Sequence, residues 1–120
     1  SLVAFVLEAE GYQVRTACDG CEGLAAIEKT LPALVLLDMK MPVMDGWEFA
    51  RELHARYDHR VPIVVFTAAA DAGRRVAEVG AVDWVGKPFD LDALVAVVRR
   101  TVDEAGVATD RSPSPAIHLP

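Results

Sequence analysis

The chain has 120 residues, 52% of them hydrophobic and 25% charged, which suits one domain with a real core. A net charge of −6 and a pI near 4.9 argue against direct nucleic-acid contact by this segment. No apolar run approaches the roughly 18 residues needed to span a bilayer, and no charged-then-apolar leader opens the sequence, so a cytoplasmic domain without membrane contact is expected. A mean hydropathy of +0.25 is high for such a domain, and a parallel sheet covered by helices on both faces explains it.

Hydrophobic periodicity sets the elements in chain order. Residues 2–10 read as a helix, with Leu2, Val3, Phe5 and Val6 at near-helical spacing and Gly11 stopping it. A strand at 12–17 is followed by a helix at 19–30 with Leu24, Ala25 and Ile27 inward. The strand at 33–38 leads through a loop marked by Pro42 and Asp45-Gly46 to a helix at 46–57, whose stripe is Trp47, Phe49, Ala50 and Leu53. A strand at 62–67 precedes an Ala-rich, weakly apolar helix at 71–79. The strand at 82–86 ends at Lys87-Pro88. A last helix spans 90–102, with Leu91, Leu94, Val95 and Val98 on one face and Asp90 as its cap. This alternation implies an α/β domain, a doubly wound parallel sheet over residues 1–102. From 103 to 120 the composition turns to Gly, Thr, Ser and Pro, which reads as a linker or a disordered tail.

Chemistry concentrates at three strand ends. The apolar run Leu34-Val35-Leu36-Leu37 stops in Asp38, at the sheet edge where open α/β folds bind ligands. Such a carboxylate serves as a metal ligand, a turn cap or a nucleophile. Two further strands end in a hydroxyl, Thr67, and an ammonium, Lys87. Each residue alone has a plain reading: a cap, a β-former and a solvated lysine. Delivered together, they suit phosphoryl transfer to a carboxylate. Asp38 attacks, Lys87 offsets negative charge, and Thr67 hydrogen-bonds the attached phosphoryl group.

Asp38 followed by Met41-Pro42-Val43-Met44-Asp45-Gly46, together with Lys87-Pro88-Phe89, resembles the receiver domain of two-component response regulators over about Leu2 to Val102. The resemblance implies a flavodoxin-like fold, phosphorylation of Asp38 by a histidine kinase or phosphotransfer protein, and no enzymatic role beyond catalysing its own phosphorylation and dephosphorylation. It also implies a cis Lys87-Pro88 bond and a switch in which Thr67 moves and the Trp84 ring turns inward. The face built from residues 71–102 would then meet the partner. Mg²⁺ is expected in the complete domain, held by Asp38, the backbone carbonyl of Lys40 and an acidic pair at the end of a first strand.

This chain has no such strand and no such pair, so an N-terminally truncated receiver is expected, binding Mg²⁺ weakly or not at all. In the family's strand order the missing strand is central. Its loss would leave unpaired edges near Val14 and Val35 and favour a homodimer or strand exchange. Residues Ala116-Ile117-His118-Leu119 could fill the gap, but Pro115 and Pro120 make them poor central-strand material. An alternative function is a phosphorylation-independent receiver-like interaction module. An aspartyl-phosphate hydrolase is disfavoured by Lys40, where a second Asp would be needed. Cys18 and Cys21 have redox spacing but flank an Asp-Gly turn signal. His54, His59 and His118 share no ligand spacing and read as surface residues.

Overall fold

The computed structural model describes residues 2–17, 19–38, 45–86, 90–104 and 115–119. Helices α1 (Leu2–Ala9), α2 (Gly20–Lys29), α3 (Gly46–Tyr57), α4 (Ala72–Val79) and α5 (Leu91–Glu104) alternate with strands β1 (Gln13–Thr16), β2 (Leu34–Asp38), β3 (Ile63–Thr67), β4 (Asp83–Gly86) and β5 (Pro115–Leu119). All pairings are parallel, in the order β1-β5-β2-β3-β4.

The apolar runs read as strands buried on both faces, and their residues divide by parity. Val35, Leu37, Ile63 and Val65 pack against Leu24 and Ile27 of α2 and Phe49, Ala50 and Leu53 of α3. Leu34, Leu36, Val64, Phe66 and Val85 pack against Val3 and Leu7 of α1 and Leu94, Val97 and Val98 of α5. The period-2 pleat thus builds two cores from one sheet.

Local chemistry ends the helices where it should. The amide of Gly11, at φ +96°, donates to Glu8 O, and Tyr12 N donates to Leu7 O, closing α1 through a positive-φ glycine. Asp19 and Asp45 cap α2 and α3 by accepting from Glu22 N and Glu48 N at 2.9 Å each. Asp90 caps α5 through Asp92 N and Ala93 N. At the other end of α2, the Arg15 guanidinium of β1 donates to Ala26 O at 2.8 Å and Thr30 O at 2.7 Å. It ties that strand to the end of the helix, joining the Thr30 amide as a second donor to Ala26 O.

Several expectations are corrected. The edges near Val14 and Val35 are not left open: β5 pairs with both, through Val14↔Ala116 and Val35↔Ile117. The stretch 103–120 is likewise not all linker or tail, since Asp103 and Glu104 extend α5 and 115–119 form β5. Pro115 takes the first strand position, and Pro120 comes after the last strand residue in the sequence, so neither interrupts β5. Ala25 faces solvent, and the small buried face of α2 is supplied by Gly20 and Gly23. In α1, Leu2 and Phe5 are 60% and 70% exposed, so the inward pair is Val3 and Leu7, one turn apart.

Candidate functional site

Asp38 ends β2 half-buried, directly after four fully buried residues. Thr67 ends β3 and is buried. The parallel register sets Asp38 beside Phe66, so the carboxylate and the hydroxyl emerge from adjacent strands one residue apart. Thr67 in turn stands beside Gly86, the last residue of β4 and the one before Lys87 in the sequence. Two of the three expected groups therefore share the carboxyl edge of the sheet. Lys87, its bond to Pro88 and Lys40 lie outside the described residues.

Trp84 lies on β4 at the margin of exposure, 36% accessible, beside Val65. Its ring runs along its own strand: a Cβ built on Gly86 would lie 3.4 Å from Trp84 Cζ3. The indole thus flanks the backbone that pairs with Thr67.

The donor chemistry for Mg²⁺ is poor. The five strands end in Thr16, Asp38, Thr67, Gly86 and Leu119, which brings one carboxylate to the strand ends. Among the described residues, no three His, Cys, Asp or Glu side chains converge as a metal site. Mg²⁺ favours octahedral oxygen ligation, so these residues do not make a fit for it.

A polar cluster that the sequence did not foretell joins α3 to α4. Trp47 Nε1 donates to Glu78 Oε1 at 3.2 Å, Arg75 pairs with the same carboxylate at 2.9 Å, and the Arg75 guanidinium sits 4.9 Å from the Trp47 ring centroid. The hydrogen bond from Arg75 is the main influence holding the Glu78 carboxyl below its ordinary value. Trp47 is therefore a half-buried bridge rather than a pure core residue. Below it, the His54 and His59 rings lie 4.3 Å apart between centroids, so these are not independent surface histidines. Burial, and secondarily the charge of His59, lower the His54 imidazole below its usual value.

A histidine so depressed favours the fold in its neutral form. That contribution is complete above the unfolded value near 6.5 and is lost as pH falls from there through the folded value. Chemical denaturation between pH 7.5 and 5 should show His54→Gln losing less stability on acidification than the parent chain. Equal slopes for the two would refute the assignment. Cys21 is an exposed free thiol, and Cys18 lies outside the described residues, as does any pairing between them.

The chain is thus a parallel α/β domain with a carboxylate and a buried hydroxyl on neighbouring strand ends. The family model described as "Response regulator receiver domain" matches residues 1–99. The chain is 41% identical over 100 residues to a probable transcriptional regulator, ycf27, of Porphyridium aerugineum, covering 79% of this chain and 41% of that protein. Among solved structures, the receiver domain of NtrX from Brucella abortus is 33% identical with a TM-score of 0.77, covering 85% of this chain and 88% of that one. The receiver domain of the sensor histidine kinase PA1611 from Pseudomonas aeruginosa, solved with a magnesium ion in its active-site cleft, is 30% identical with a TM-score of 0.76, over 85% and 86%. This chain belongs to the response-regulator receiver family and is a receiver domain of two-component signalling. It spans less than half the length of the curated relatives it matches. Among the described residues no helix is long and apolar enough to cross a membrane.

Proposed function

We propose that Asp38 is the phosphoacceptor and that the domain takes its phosphoryl group from a phosphohistidine of a histidine kinase or phosphotransfer protein in the cytoplasm. A carboxylate oxygen of Asp38 attacks phosphorus, the phosphorus–nitrogen bond breaks, and the imidazole leaves with the bonding pair and takes up a proton. The product is an acyl phosphate on Asp38. The Lys87 ammonium offsets charge on the acceptor and on the phosphoryl oxygens, and the Thr67 hydroxyl donates to the phosphoryl group once it is attached. Self-catalysed gain and loss of phosphate is the extent of its enzymology. The observation that carries this reading is the delivery of Asp38 and Thr67 to one sheet edge by adjacent, register-paired strands.

The output face is α4, β4 and α5. It is supported by the few buried residues of α4, Ala72 and Val79, which let that helix shift at small cost. It is also supported by the exposure of Val82 and Trp84, at 58% and 36%. No observation favours the phosphorylation-independent module. In a chain that carries the family's first strand and acidic pair, acetyl phosphate with Mg²⁺ should add one phosphoryl group by intact mass, and Asp38→Asn should abolish the gain. An Asp38→Asn chain that still gains a phosphoryl group overturns the assignment.

Mg²⁺ would be held weakly by this chain, with Asp38 and the Lys40 carbonyl as its protein ligands. Titration followed by Trp47 and Trp84 fluorescence should give no saturable change at sub-millimolar concentration. A sharp sub-millimolar midpoint would show ligands beyond these two.

A further inference from the structure

Helix α4 ends against two histidine rings. Gly80 closes it in the left-handed region, its amide donating to Val76 O, and Ala81 N donates to the same carbonyl at 3.0 Å. The next amide, Val82 N, donates to Ile63 O of β3 at 2.9 Å, so this cap is the joint between α4 and the sheet. His54 Cε1, His54 Nδ1 and His59 Cε1 lie 2.8, 3.5 and 3.6 Å from where a Cβ on Gly80 would stand. Only a residue without a side chain lets both rings come this near the cap. His54 is half-buried on α3 and His59 is exposed just after it, with ring centroids 4.3 Å apart and planes tilted by 45°.

The two rings also stand between two cavities. His54 lines one of about 270 Å³ in the seam of α3 and α4, with Trp47, Arg51 and Glu78. His59 lines one of about 480 Å³, with Arg60, Thr101 and Glu104. The charges around the pair disfavour a proton on it. Arg51 shares the cavity of His54, Arg60 follows His59, and the Glu78 carboxylate is already engaged by Arg75 and Trp47 Nε1. Asp58 and Glu104, the other acids nearby, are exposed to water. Among the described residues no carboxylate hydrogen-bonds either imidazole. Burial first, and the charge of His59 second, act on the His54 imidazole in the same direction and lower it.

We propose that His54 and His59 form a proton-operated latch on α4. With both imidazoles neutral they hold the Gly80 cap against α3, and a proton on His54 releases the cap and frees the carboxyl end of α4 while the sheet stays folded. Leaving Gly80 rehydrates the charged ring and separates it from His59, which has the larger cavity to withdraw into. The helix resists little, because Ala72 and Val79 are its only buried residues. Proton uptake and opening are therefore linked: the open form takes its proton near the ordinary value of 6.5, and the closed form only below it. Since α4 belongs to the output face proposed above, acidification biases that face toward its shifted arrangement. That consequence rests on the earlier reading, and the latch itself does not.

The test is amide hydrogen exchange on the intact chain between pH 7.5 and 5, corrected for the intrinsic effect of pH. Amides 80–82 should open more readily than those of 63–67 and 94–98 at every pH. Below 6.5 their opening should grow by about tenfold per pH unit, the slope of a one-proton step. His54→Gln should flatten that slope. His59→Gln should end the rise at a higher pH, because without its like-charged neighbour His54 takes up its proton more readily in the closed form. Opening of 80–82 that is flat with pH in the folded parent chain would overturn the proposal, and that result needs no variant. Amides 80–82 opening only together with 63–67 and 94–98 would mean that the cap is lost with the whole fold, which overturns it equally. A folded His54→Gln chain that keeps the parent's slope would remove His54 from the role. None of these measurements involves Asp38 or phosphate, so the latch and the phosphoacceptor assignment fail separately.

Discussion

Phe49→Ala should destabilise the domain by about 3–5 kcal/mol, the largest effect expected of any single truncation discussed for this chain. The ring is fully buried and lies on the first turns of α3, against the α2–α3 face of the sheet. Removing it forfeits the transfer free energy of the aromatic side chain and leaves a hole that a parallel sheet and two helices cannot collapse to fill. Against a total stability of roughly 5–15 kcal/mol, that loss takes a large share of the margin. The effect should reach the candidate site as well, because α3 begins directly after the loop that follows Asp38, and Phe49 N donates to Asp45 O at its first turn. Urea unfolding of the parent and variant checks it, with the midpoint falling and the slope unchanged. A loss below about 1.5 kcal/mol would mean that α3 relaxes into the space and that this core is less tightly packed than its burial indicates.

Gly80→Val should cost about 2–3 kcal/mol by a different route, combining backbone strain with a steric clash. Gly80 closes α4 in the left-handed region, at φ +66° and ψ +34°, its amide donating to Val76 O. A β-branched residue is strained in that conformation whatever the space around it. The space is also taken: a Cβ at Gly80 would lie 2.8 Å from His54 Cε1 and 3.6 Å from His59 Cε1. His54 is half-buried with its ring in tilted contact with that of His59, which limits how far it can swing clear. The melting temperature should drop by roughly 5–15 °C. Gly80→Asn, which tolerates the left-handed conformation better, should also fall, but by less, since it keeps the clash and sheds part of the strain. If Val and Asn cost the same, the clash rather than the backbone dominates.

How much of this was legible in the sequence follows from the range of the forces involved. Strands such as Leu34–Asp38 and Ile63–Thr67 are visible because burial on both faces demands an uninterrupted apolar run, a purely local signature. Helix ends were visible where a short-range hydrogen bond fixes them, as at Asp90 for α5, or where a positive-φ glycine does, as at Gly11. The edge occupied by Asp38 and Thr67 followed from strand direction alone, since every strand in a parallel sheet delivers its carboxyl end to the same side. Inward faces were less secure. Leu2 and Phe5 are apolar yet exposed, because α1 buries only Val3 and Leu7, and hydrophobicity does not say which residues of a mostly apolar helix face in.

Contacts between distant segments were decided by the tertiary structure. Residues 115–119 carry weak strand propensity and two bracketing prolines, and they become a strand through the two ladders that β1 and β2 offer. The Trp47–Arg75–Glu78 cluster exists because α3 and α4 pack side by side, and His54 meets His59 because the chain reverses after Tyr57, with Asp58 at φ 54°. By itself the sequence determined the alternating elements as far as α5, the Asp90 cap, the Gly11 stop and the chemical groups at the ends of β2 and β3 in this receiver domain. Which segment sits in the middle of its sheet, and so beside Asp38, was decided in three dimensions, where unpaired backbone groups on two edges outweigh the poor propensity of the five residues that satisfy them.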